Sequence, residues 1–339
     1  MILLDALYVN SGGAKILLDY LVKEIEKNNL EVFYLFDERC NESYHEISCD
    51  RKIYLKSSFF ERYKFYLNNK YRFKKALCFG NLPPNIKLRA KVFTYFHQPM
   101  YLNIPKDFSF KDRIKFKLKI KVLKLIAKNT DYWITQSHLI KEKLHQKFHF
   151  KNENIKILPF YPQFGNFEEQ VRERFTYLYV STASPHKNHS RLLKAFCHFY
   201  DKYNLGKLIV TVEEEYQSIN NMIKEKQKLG YPIKNIGFVG RDELQKNYLS
   251  SEFLIFPSLT ESFGLGLIEA IECGCKVIGA DLPYTYEVCE PSIVFNPLDD
   301  ESFLKAFENS LNEDVKNSIP RIKNNIYELI NILKENQCN

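Results

Sequence analysis

Two glutamates eight residues apart, Glu261 and Glu269, have the residue type and spacing that best suit chemistry on a polyhydroxy ligand. Glu261 lies in a polar loop after the apolar run 253–256, and Glu269 lies two turns into a helix that Gly264 and Gly266 open. Free backbone N–H groups at a helix N-terminus bind anions, and glycines let a phosphate approach closely. The spacing therefore predicts two carboxylates that can bracket a polyhydroxy ligand whose phosphate sits at this N-terminus.

A strand–loop–helix–strand unit positions these residues. The first apolar run stops at Pro257, the helix ends at Gly274, and a second buried strand begins at Val277. An ordinary crossover with two solvated carboxylates is the plain alternative. The common register of strand, glycines and carboxylates favours the anion site instead.

This stretch resembles the C-terminal signature of the retaining glycosyltransferases of family 4, which have the GT-B fold. The chain departs from the family pattern at Ser262, Gly266 and Lys276, where the family usually has Gly, Pro and Pro. Those changes alter backbone shape and remove no reacting group. The shared positions are Pro257, Ser258, Glu261, Phe263, Gly264, Leu265, Glu269, Ala270, Gly274 and Val277.

The resemblance implies an α/β protein with two doubly wound parallel-sheet (Rossmann-like) domains facing a cleft, and a C-terminal helix that crosses back. It implies transfer of a sugar, with retention, from a nucleoside diphosphate sugar to a hydroxyl acceptor. We expect a glycan or lipid-linked glycan acceptor in bacterial surface polysaccharide, lipopolysaccharide or glycolipid synthesis. The nucleotide sugar is the co-substrate, a UDP-sugar favoured over a GDP-sugar, and no other cofactor is expected. The alternative is a non-catalytic nucleotide-sugar-binding subunit of a glycosyltransferase complex.

The same resemblance assigns site residues by matching positions. The catalytic residues that it implies are His97, Lys187 and Glu261. The donor-binding residues that it implies are Gly12, Gly13, Thr182, Lys187, Asn188, Val239, Arg241, Ser262, Phe263, Gly264, Leu265 and Glu269.

Two strands of the first half position its candidate residues. The apolar run 2–9 leads to Gly12 and Gly13, and the run 92–96 leads to His97. Ligands of α/β sheets bind at the carboxyl edge, where both sites fall. A plain turn and a hydrogen-bonded structural histidine are the alternatives.

The predicted strand 175–180 leads to the loop that carries Lys187 and Asn188, a match to the family's second phosphate element. Thr182 stands where the family has an arginine. Arg191, four residues after Lys187, and the neighbouring His186 are the candidates for the missing charge, unless Arg191 points to solvent. The stretch 238–241 is predicted to end the second strand after 175–180. It resembles the family's loop whose backbone contacts the nucleotide base.

Prolines, a glycine and clustered Glu and Arg residues predict a linker at about 160–174. The linker separates an N-terminal acceptor-side domain (1–163) from a C-terminal nucleotide-sugar-binding domain (172–318). The remainder (319–339) is predicted as a C-terminal helix that packs on the first domain.

Charge is distributed unevenly between the halves. Residues 1–163 contain 30 Lys and Arg against 16 Asp and Glu, a net +14, whereas residues 164–339 contain 19 against 25, a net −6. The most basic segment, 111–128, predicts a helix with a cationic stripe that is either solvated or lies on an anionic membrane surface. No nucleic-acid-binding module is recognisable, so no nucleic-acid partner is expected.

The sequence also predicts the compartment and the metal requirement. No apolar run reaches the length of a membrane span and no signal peptide is apparent, so we expect a cytoplasmic protein, peripheral at the inner face of the membrane if the basic helix binds lipid. Eight scattered cysteines predict free thiols. Because no Asp-x-Asp motif is present, we expect metal-independent transfer, with Lys187, helix N-termini and amides neutralising the diphosphate.

Overall fold

The computed structural model describes residues 1–104, 110–165 and 170–335. The chain forms two compact units, the first containing residues 1–162 and the chain from Lys323 onward, and the second containing Gln163–Ile322. Each unit is built on its own parallel sheet, so the prediction of two parallel-sheet α/β domains is confirmed.

Seven parallel strands form the sheet of the first unit. They are β1 (Ile2–Asp5), β2 (Val32–Asp37), β3 (Lys52–Leu55), β4 (Lys75–Cys78), β5 (Lys91–Phe96), β6 (Tyr132–Thr135) and β7 (Ile155–Ile157). Their spatial order is β3-β2-β1-β4-β5-β6-β7. Strands β1, β2 and β4 are buried along their whole length, as expected for parallel strands that helices cover on both faces.

Four helices connect these strands: α1 (Gly12–Lys27), α2 (Phe59–Asn68), α3 (Phe110–Ile126) and α4 (His138–Phe148). The Ser137 hydroxyl accepts a hydrogen bond from the Ile140 N–H and caps α4, as its position before the helix predicts. The aromatic-rich, basic stretch 57–75 predicts one continuous helix from its sequence, but in the structure the helix ends at Asn68 and Lys75 already begins β4.

The second unit contains six parallel strands and one short antiparallel pair. The strands are β8 (Glu173–Tyr179), β9 (Lys207–Val210), β10 (Ile233–Asn235), β11 (Ser251–Phe256), β12 (Lys276–Ala280), β13 (Cys289–Glu290), β14 (Ile293–Phe295) and β15 (Ile319–Pro320). The parallel sheet has the order β10-β9-β8-β11-β12-β14, and β13 pairs with β15. The helices are α5 (His189–Tyr203), α6 (Gln217–Lys228), α7 (Arg241–Ser250), α8 (Leu265–Glu272), α9 (Pro283–Val288) and α10 (Asp300–Asn309).

Both sheets are doubly wound. In the first unit the strands are added in one direction from β1 to β3, and β4 then pairs with the other edge of β1. In the second unit they are added in one direction from β8 to β10, and β11 then pairs with the other edge of β8. Ligands of such sheets bind outside the carboxyl ends of the strands at this switch point. A ligand site of the second unit is therefore expected at the loops that follow β8 and β11.

The C-terminal part of the chain differs from the prediction for 319–339. Residues Ile319 and Pro320 form β15 rather than a helix, and they lie in the second unit. Proline has no N–H to donate inside a helix, which is consistent with the late helix start. The last helix, α11 (Ile326–Lys334), belongs to the first unit, where the backbone carbonyls of Ile332 and Leu333 accept hydrogen bonds from the buried Lys75 ammonium group.

Candidate functional site

Lys187 and Glu261 meet at the switch point of the second unit. The Lys187 ammonium group forms an ion pair with the Glu261 carboxylate, although 74 residues separate them in the chain. Their side chains are only 17% and 12% exposed. A backbone hydrogen bond of 2.8 Å from Leu259 N to His186 O joins the two loops directly. The structure thus brings together two of the three predicted catalytic residues.

Asn188 fixes the backbone that carries Lys187. It has a left-handed conformation (φ 62°), which asparagine tolerates better than most residues, and it directly precedes α5. Its side-chain amide donates to the carbonyls of Pro257 (3.3 Å) and Pro297 (2.9 Å). The Tyr179 hydroxyl donates to the Lys187 carbonyl at 2.8 Å. Asn188 therefore holds three loops together rather than presenting its amide to open solvent.

The predicted donor-binding residues Ser262, Phe263, Gly264 and Leu265 lie at the N-terminus of α8. Gly264 has a φ of 78°, and a Cβ atom there would lie 3.0 Å from the Leu267 side chain. Only glycine adopts this conformation without strain. The backbone turns at Gly264, and α8 begins at the next residue, four positions after Glu261.

Glu269 lies on α8 with its side chain 4% exposed. One carboxylate oxygen accepts from the Arg241 guanidinium at 2.7 Å, and the other accepts from the Tyr248 hydroxyl at 3.3 Å. Burial raises the pKa of Glu269, and the charge and hydrogen bond of Arg241 act in the opposite direction. The site therefore contains a buried carboxylate that retains acceptor positions.

Arg241 and Val239 lie in elements other than the predicted ones. The prediction that a strand ends at 238–241 is wrong, because β10 ends at Asn235 and Arg241 begins α7. The Asn235 side chain accepts from Gly237 N at 3.1 Å, and Gly237 has a φ of 64°, so the chain turns out of the sheet here. Val239 lies in this half-buried turn.

Thr182 lies half-buried in the loop after β8. Arg191 does not supply the charge that this position lacks, because its guanidinium pairs with Asp300 at 3.1 Å and donates to the Leu298 carbonyl. The suggestion that Arg191 compensates for Thr182 is therefore not supported by the geometry, and Arg191 does not simply point to solvent either.

His97 directly follows β5 in the first unit, at the carboxyl edge of that sheet. The Asn81 side chain accepts from the His97 N–H at 2.7 Å, which fixes the amide so that its nitrogen donates to His97 Nε2 at 3.2 Å. Burial lowers the pKa of His97 to about 4, so the ring is neutral at pH 7 and its proton lies on Nδ1. Within the described residues Nδ1 has no hydrogen-bond partner, which leaves it available as a donor.

Gly12 and Gly13 begin α1 after β1, as the strand–turn–helix pattern predicts. Gly12 has a φ of 64°, and a Cβ atom at either position would meet nothing within 4 Å. The predicted residues thus fall into two sets: Gly12, Gly13 and His97 belong to the first unit, and all the others belong to the second.

His189, the first residue of α5, was not predicted. Its ring packs against Tyr179 with centroids 4.7 Å apart, and neither ring nitrogen has a hydrogen-bond partner in the described parts of the chain. Burial, with a smaller contribution from the Lys187 charge, lowers its pKa to about 3. Its place on the apolar stripe with Leu192 and Leu193 was the only available signal, and that pattern favours a core residue.

We expect His189 to make folding less stable in acid. The unfolded chain protonates this histidine below about pH 6.5, whereas the folded ring stays neutral to about pH 3. Between these values the unfolded state binds more protons, so stability falls as the pH falls. In urea unfolding, the free energy of unfolding should fall less between pH 7 and pH 4.5 in His189→Leu than in the wild-type protein. The exposed His198→Asn on the same helix is the control, and equal losses in all three proteins would contradict the expectation.

Across residues 1–104, 110–165 and 170–335 no group of three or more His, Cys, Asp or Glu side chains is arranged to hold a metal ion.

Comparison with solved structures identifies the architecture. Sucrose-phosphate synthase from Thermosynechococcus elongatus superimposes with a TM-score of 0.72 over 91% of this chain and 89% of that one, at 16% identity. Anabaena HepE in complex with UDP and glucose superimposes with a TM-score of 0.66 over 92% and 89%, at 14% identity. The chain has the GT-B fold. At these identities the likeness establishes the GT-B fold alone.

Sequence comparison finds a family match over slightly less than half of the chain. Residues 164–328 match the family model described as glycosyl transferases group 1. A curated relative, the O-antigen chain mannosyltransferase RfbU of Salmonella typhimurium, is 27% identical over 218 residues, which is 64% of this chain and 60% of the relative. Lys187, Glu261 and Glu269 all lie inside the matched region.

Proposed function

We propose that the protein is a retaining glycosyltransferase that moves a sugar from a nucleoside diphosphate sugar to a hydroxyl acceptor. The observation that carries the proposal is the partly buried Lys187–Glu261 pair at the switch point, where Glu261 precedes the first residue of α8 by four positions, inside the region that matches group 1 glycosyl transferases. A cation and a carboxylate in a loop that leads into a helix N-terminus suit a ligand that combines phosphates with hydroxyl groups.

Each residue then has a distinct role. Lys187 and the N–H groups of α8 stabilise the negative charge that develops on the leaving diphosphate. Glu261 accepts from sugar hydroxyls, and Glu269 accepts from the ribose. His97 belongs to the first unit and is neutral at pH 7, and the catalytic role that the resemblance implies for it stays a prediction. Catalysis on this account is positioning plus electrostatic stabilisation.

The relative suggests the sugar and the pathway. Because RfbU is an O-antigen chain mannosyltransferase, we propose mannose as the first sugar to test and bacterial surface polysaccharide or glycolipid as the product. For the base we retain UDP over GDP as the first choice, and both are included in the screen.

A screen of nucleotide sugars tests the proposal. A ligand at 100 times its dissociation constant stabilises the folded state by about 2.7 kcal/mol, which thermal unfolding detects. The donor that stabilises most should also be hydrolysed slowly without acceptor, and activity should persist in EDTA because transfer is proposed to be metal-independent. If no UDP- or GDP-sugar shifts the unfolding temperature, the proposal fails. Loss of activity in EDTA, restored by manganese, would overturn only the metal-independent part.

A nucleotide-sugar-binding subunit without catalysis is the second candidate, and Thr182 favours it. A neutral hydroxyl replaces the family's arginine, and Arg191 is engaged by Asp300. Donor binding without any hydrolysis or transfer in the same screen would favour this candidate.

We also propose that the first unit binds an anionic membrane surface through α3. The inward side of α3 packs in the core, whereas the cationic stripe of Arg113, Lys117, Lys121, Lys124 and Lys128 is exposed. Beside it the apolar side chains Phe110, Ile114, Leu118 and Leu125 are also exposed, Leu118 by 59% and Leu125 by 65%. Exposed apolar residues beside the lysines are typical of a helix that lies in a membrane interface, where they are buried among the lipids, and are not expected on a face that only contacts water.

Helix α2 extends this surface. Phe59, Tyr63 and Leu67, four residues apart, are exposed along one side of it. The connections β3–α2–β4 and β5–α3–β6 run across the sheet in the same direction, so right-handed crossovers place α2 and α3 on the same face. Within the described ranges no helix combines the length and apolar character that a membrane span requires.

Charge reversal tests the membrane proposal. Each lysine near an anionic surface contributes on the order of 1 kcal/mol, so Lys117→Glu with Lys121→Glu and Lys124→Glu should weaken binding to phosphatidylglycerol vesicles at least about 100-fold. The matched control reverses three exposed lysines of the second unit, Lys224, Lys228 and Lys234. Equal vesicle co-sedimentation of the two triple variants at low salt would show that α3 is only a solvated face.

A further inference from the structure

The carboxylate of Glu269 is held by two residues of one neighbouring helix. Arg241 and Tyr248, both on α7, donate to its two oxygens at 2.7 and 3.3 Å. Each carboxylate oxygen has two lone pairs, so two of about four acceptor positions are used and two remain. The remaining positions match in number the two hydroxyl groups of a ribose.

Burial makes the charge of this carboxylate costly. A carboxylate removed from water takes up a proton unless a cation or donors compensate, and a protonated carboxyl has fewer acceptor positions. Burial raises the pKa of Glu269, the nearby Glu272 on α8 raises it further, and Arg241 and Tyr248 lower it. Arg241 is the cation that lowers this pKa most, and Cys273, also close by, has its own thiol pKa raised to about 12 and stays neutral.

An aromatic side chain holds the guanidinium in place. The Arg241 guanidinium lies 4.2 Å from the centroid of the Phe164 ring, which in turn lies 5.9 Å from the Tyr248 ring. Stacking on an aromatic face suits a guanidinium and leaves its edge free for hydrogen bonds. Phe164, Arg241 and Tyr248 thus form one support around Glu269.

We propose that the Arg241 side chain is a positioning residue that keeps Glu269 ionised and in one orientation, so that its free lone pairs accept the ribose hydroxyls of the nucleotide. The ribose part of this inference rests on the function proposed above. The side-chain role differs from the backbone role that the loop resemblance assigned to residues 238–241. Phe164 acts through Arg241 by fixing the plane of its guanidinium.

A carboxyl titration tests the charge directly. In protein labelled with ¹³C at the glutamate carboxyl groups, the Glu269 signal, assigned with Glu269→Gln, should titrate at higher pH in Arg241→Gln than in the wild-type protein. Arg241→Lys should restore most of the difference, and Lys246→Gln, an exposed change on the same helix, should leave the titration unchanged. An unchanged Glu269 pKa in Arg241→Gln would overturn the proposal.

Nucleotide affinity as a function of pH tests the consequence. Calorimetric titration with UDP and GDP should give the same change of affinity between pH 8 and pH 6 in the wild-type protein and in Lys246→Gln, because the terminal phosphate of the nucleotide titrates near pH 6 in both experiments. In Arg241→Gln the affinity should be roughly tenfold lower at pH 6, equivalent to about 1.4 kcal/mol, and should recover as the pH rises and Glu269 loses its proton. Phe164→Leu should show the same trend more weakly.

The outcomes separate this inference from the proposed function. An equal loss of affinity at every pH in Arg241→Gln would overturn the inference, because it indicates direct contact with the nucleotide or a general loss of structure. If the wild-type protein binds neither UDP nor GDP, the proposed function fails, and the carboxyl titration still decides whether Arg241 keeps Glu269 charged.

Discussion

Lys187→Ala is expected to lower kcat for sugar transfer by roughly 100- to 1,000-fold. One well-placed donor at a developing negative charge contributes about 2.7–4 kcal/mol to transition-state stabilisation. With Thr182 neutral and Arg191 engaged by Asp300, the diphosphate has few other cations in the described part of the second unit. The KM for the donor should change much less than kcat, because the charge on the leaving group is largest in the transition state.

Two variants make this prediction specific. Lys187→Arg keeps the charge with a different geometry and should retain part of the activity. Lys194→Ala removes an exposed lysine from the neighbouring helix α5 and should retain all of it. A Lys187→Ala protein that retains more than about a tenth of the wild-type kcat would show that backbone N–H groups alone stabilise the leaving group.

The strand–loop–helix–strand unit around Glu261 was predictable because its signals are local. Apolar runs give β11 and β12, Pro257 ends the first, and Gly274 follows the end of α8. The GT-B fold followed from the resemblance that these residues carry, and the superpositions confirm it.

Helices α6 and α7 were missed because little of their surface is buried. In α6 the one buried residue is Ile223, and in α7 three residues are buried among charged neighbours. Without an apolar stripe a helix has no clear periodicity in the sequence. This omission had a consequence for the site, because placing Arg241 on a strand concealed that its side chain reaches Glu269.

Contacts between distant residues depend on strand order, which a sequence does not state. Lys187 and Glu261 pair because β11 lies beside β8, although β9 and β10 intervene in the chain. Arg191 was misjudged for a related reason: helical spacing placed it near Lys187, but its guanidinium on α5 pairs with Asp300, the first residue of α10. Both outcomes belong to tertiary packing rather than to local pattern.

The two glutamates of the site are expected to respond to alanine in opposite ways. Glu269→Ala should weaken UDP binding by roughly 100-fold, since it removes a charged acceptor of the ribose hydroxyls and leaves the Arg241 guanidinium without its carboxylate. Glu261→Ala should leave UDP binding unchanged or a few-fold tighter. Lys187 pairs with Glu261 in the free protein, so the diphosphate must compete with this carboxylate for the same ammonium group.

Turnover should reverse the order of the two variants. With saturating donor, Glu261→Ala should lose roughly 100-fold in kcat, because a contact to the reacting sugar is removed where charge develops. Glu269→Ala should retain much more of its kcat, because the ribose is remote from the bond that breaks. Calorimetry with UDP and steady-state kinetics on both variants check this, with Glu301→Ala, an exposed glutamate on α10, as the control. If Glu261→Ala weakened UDP binding as strongly as Glu269→Ala, Glu261 would belong to the nucleotide site, and its assignment to the sugar would be wrong.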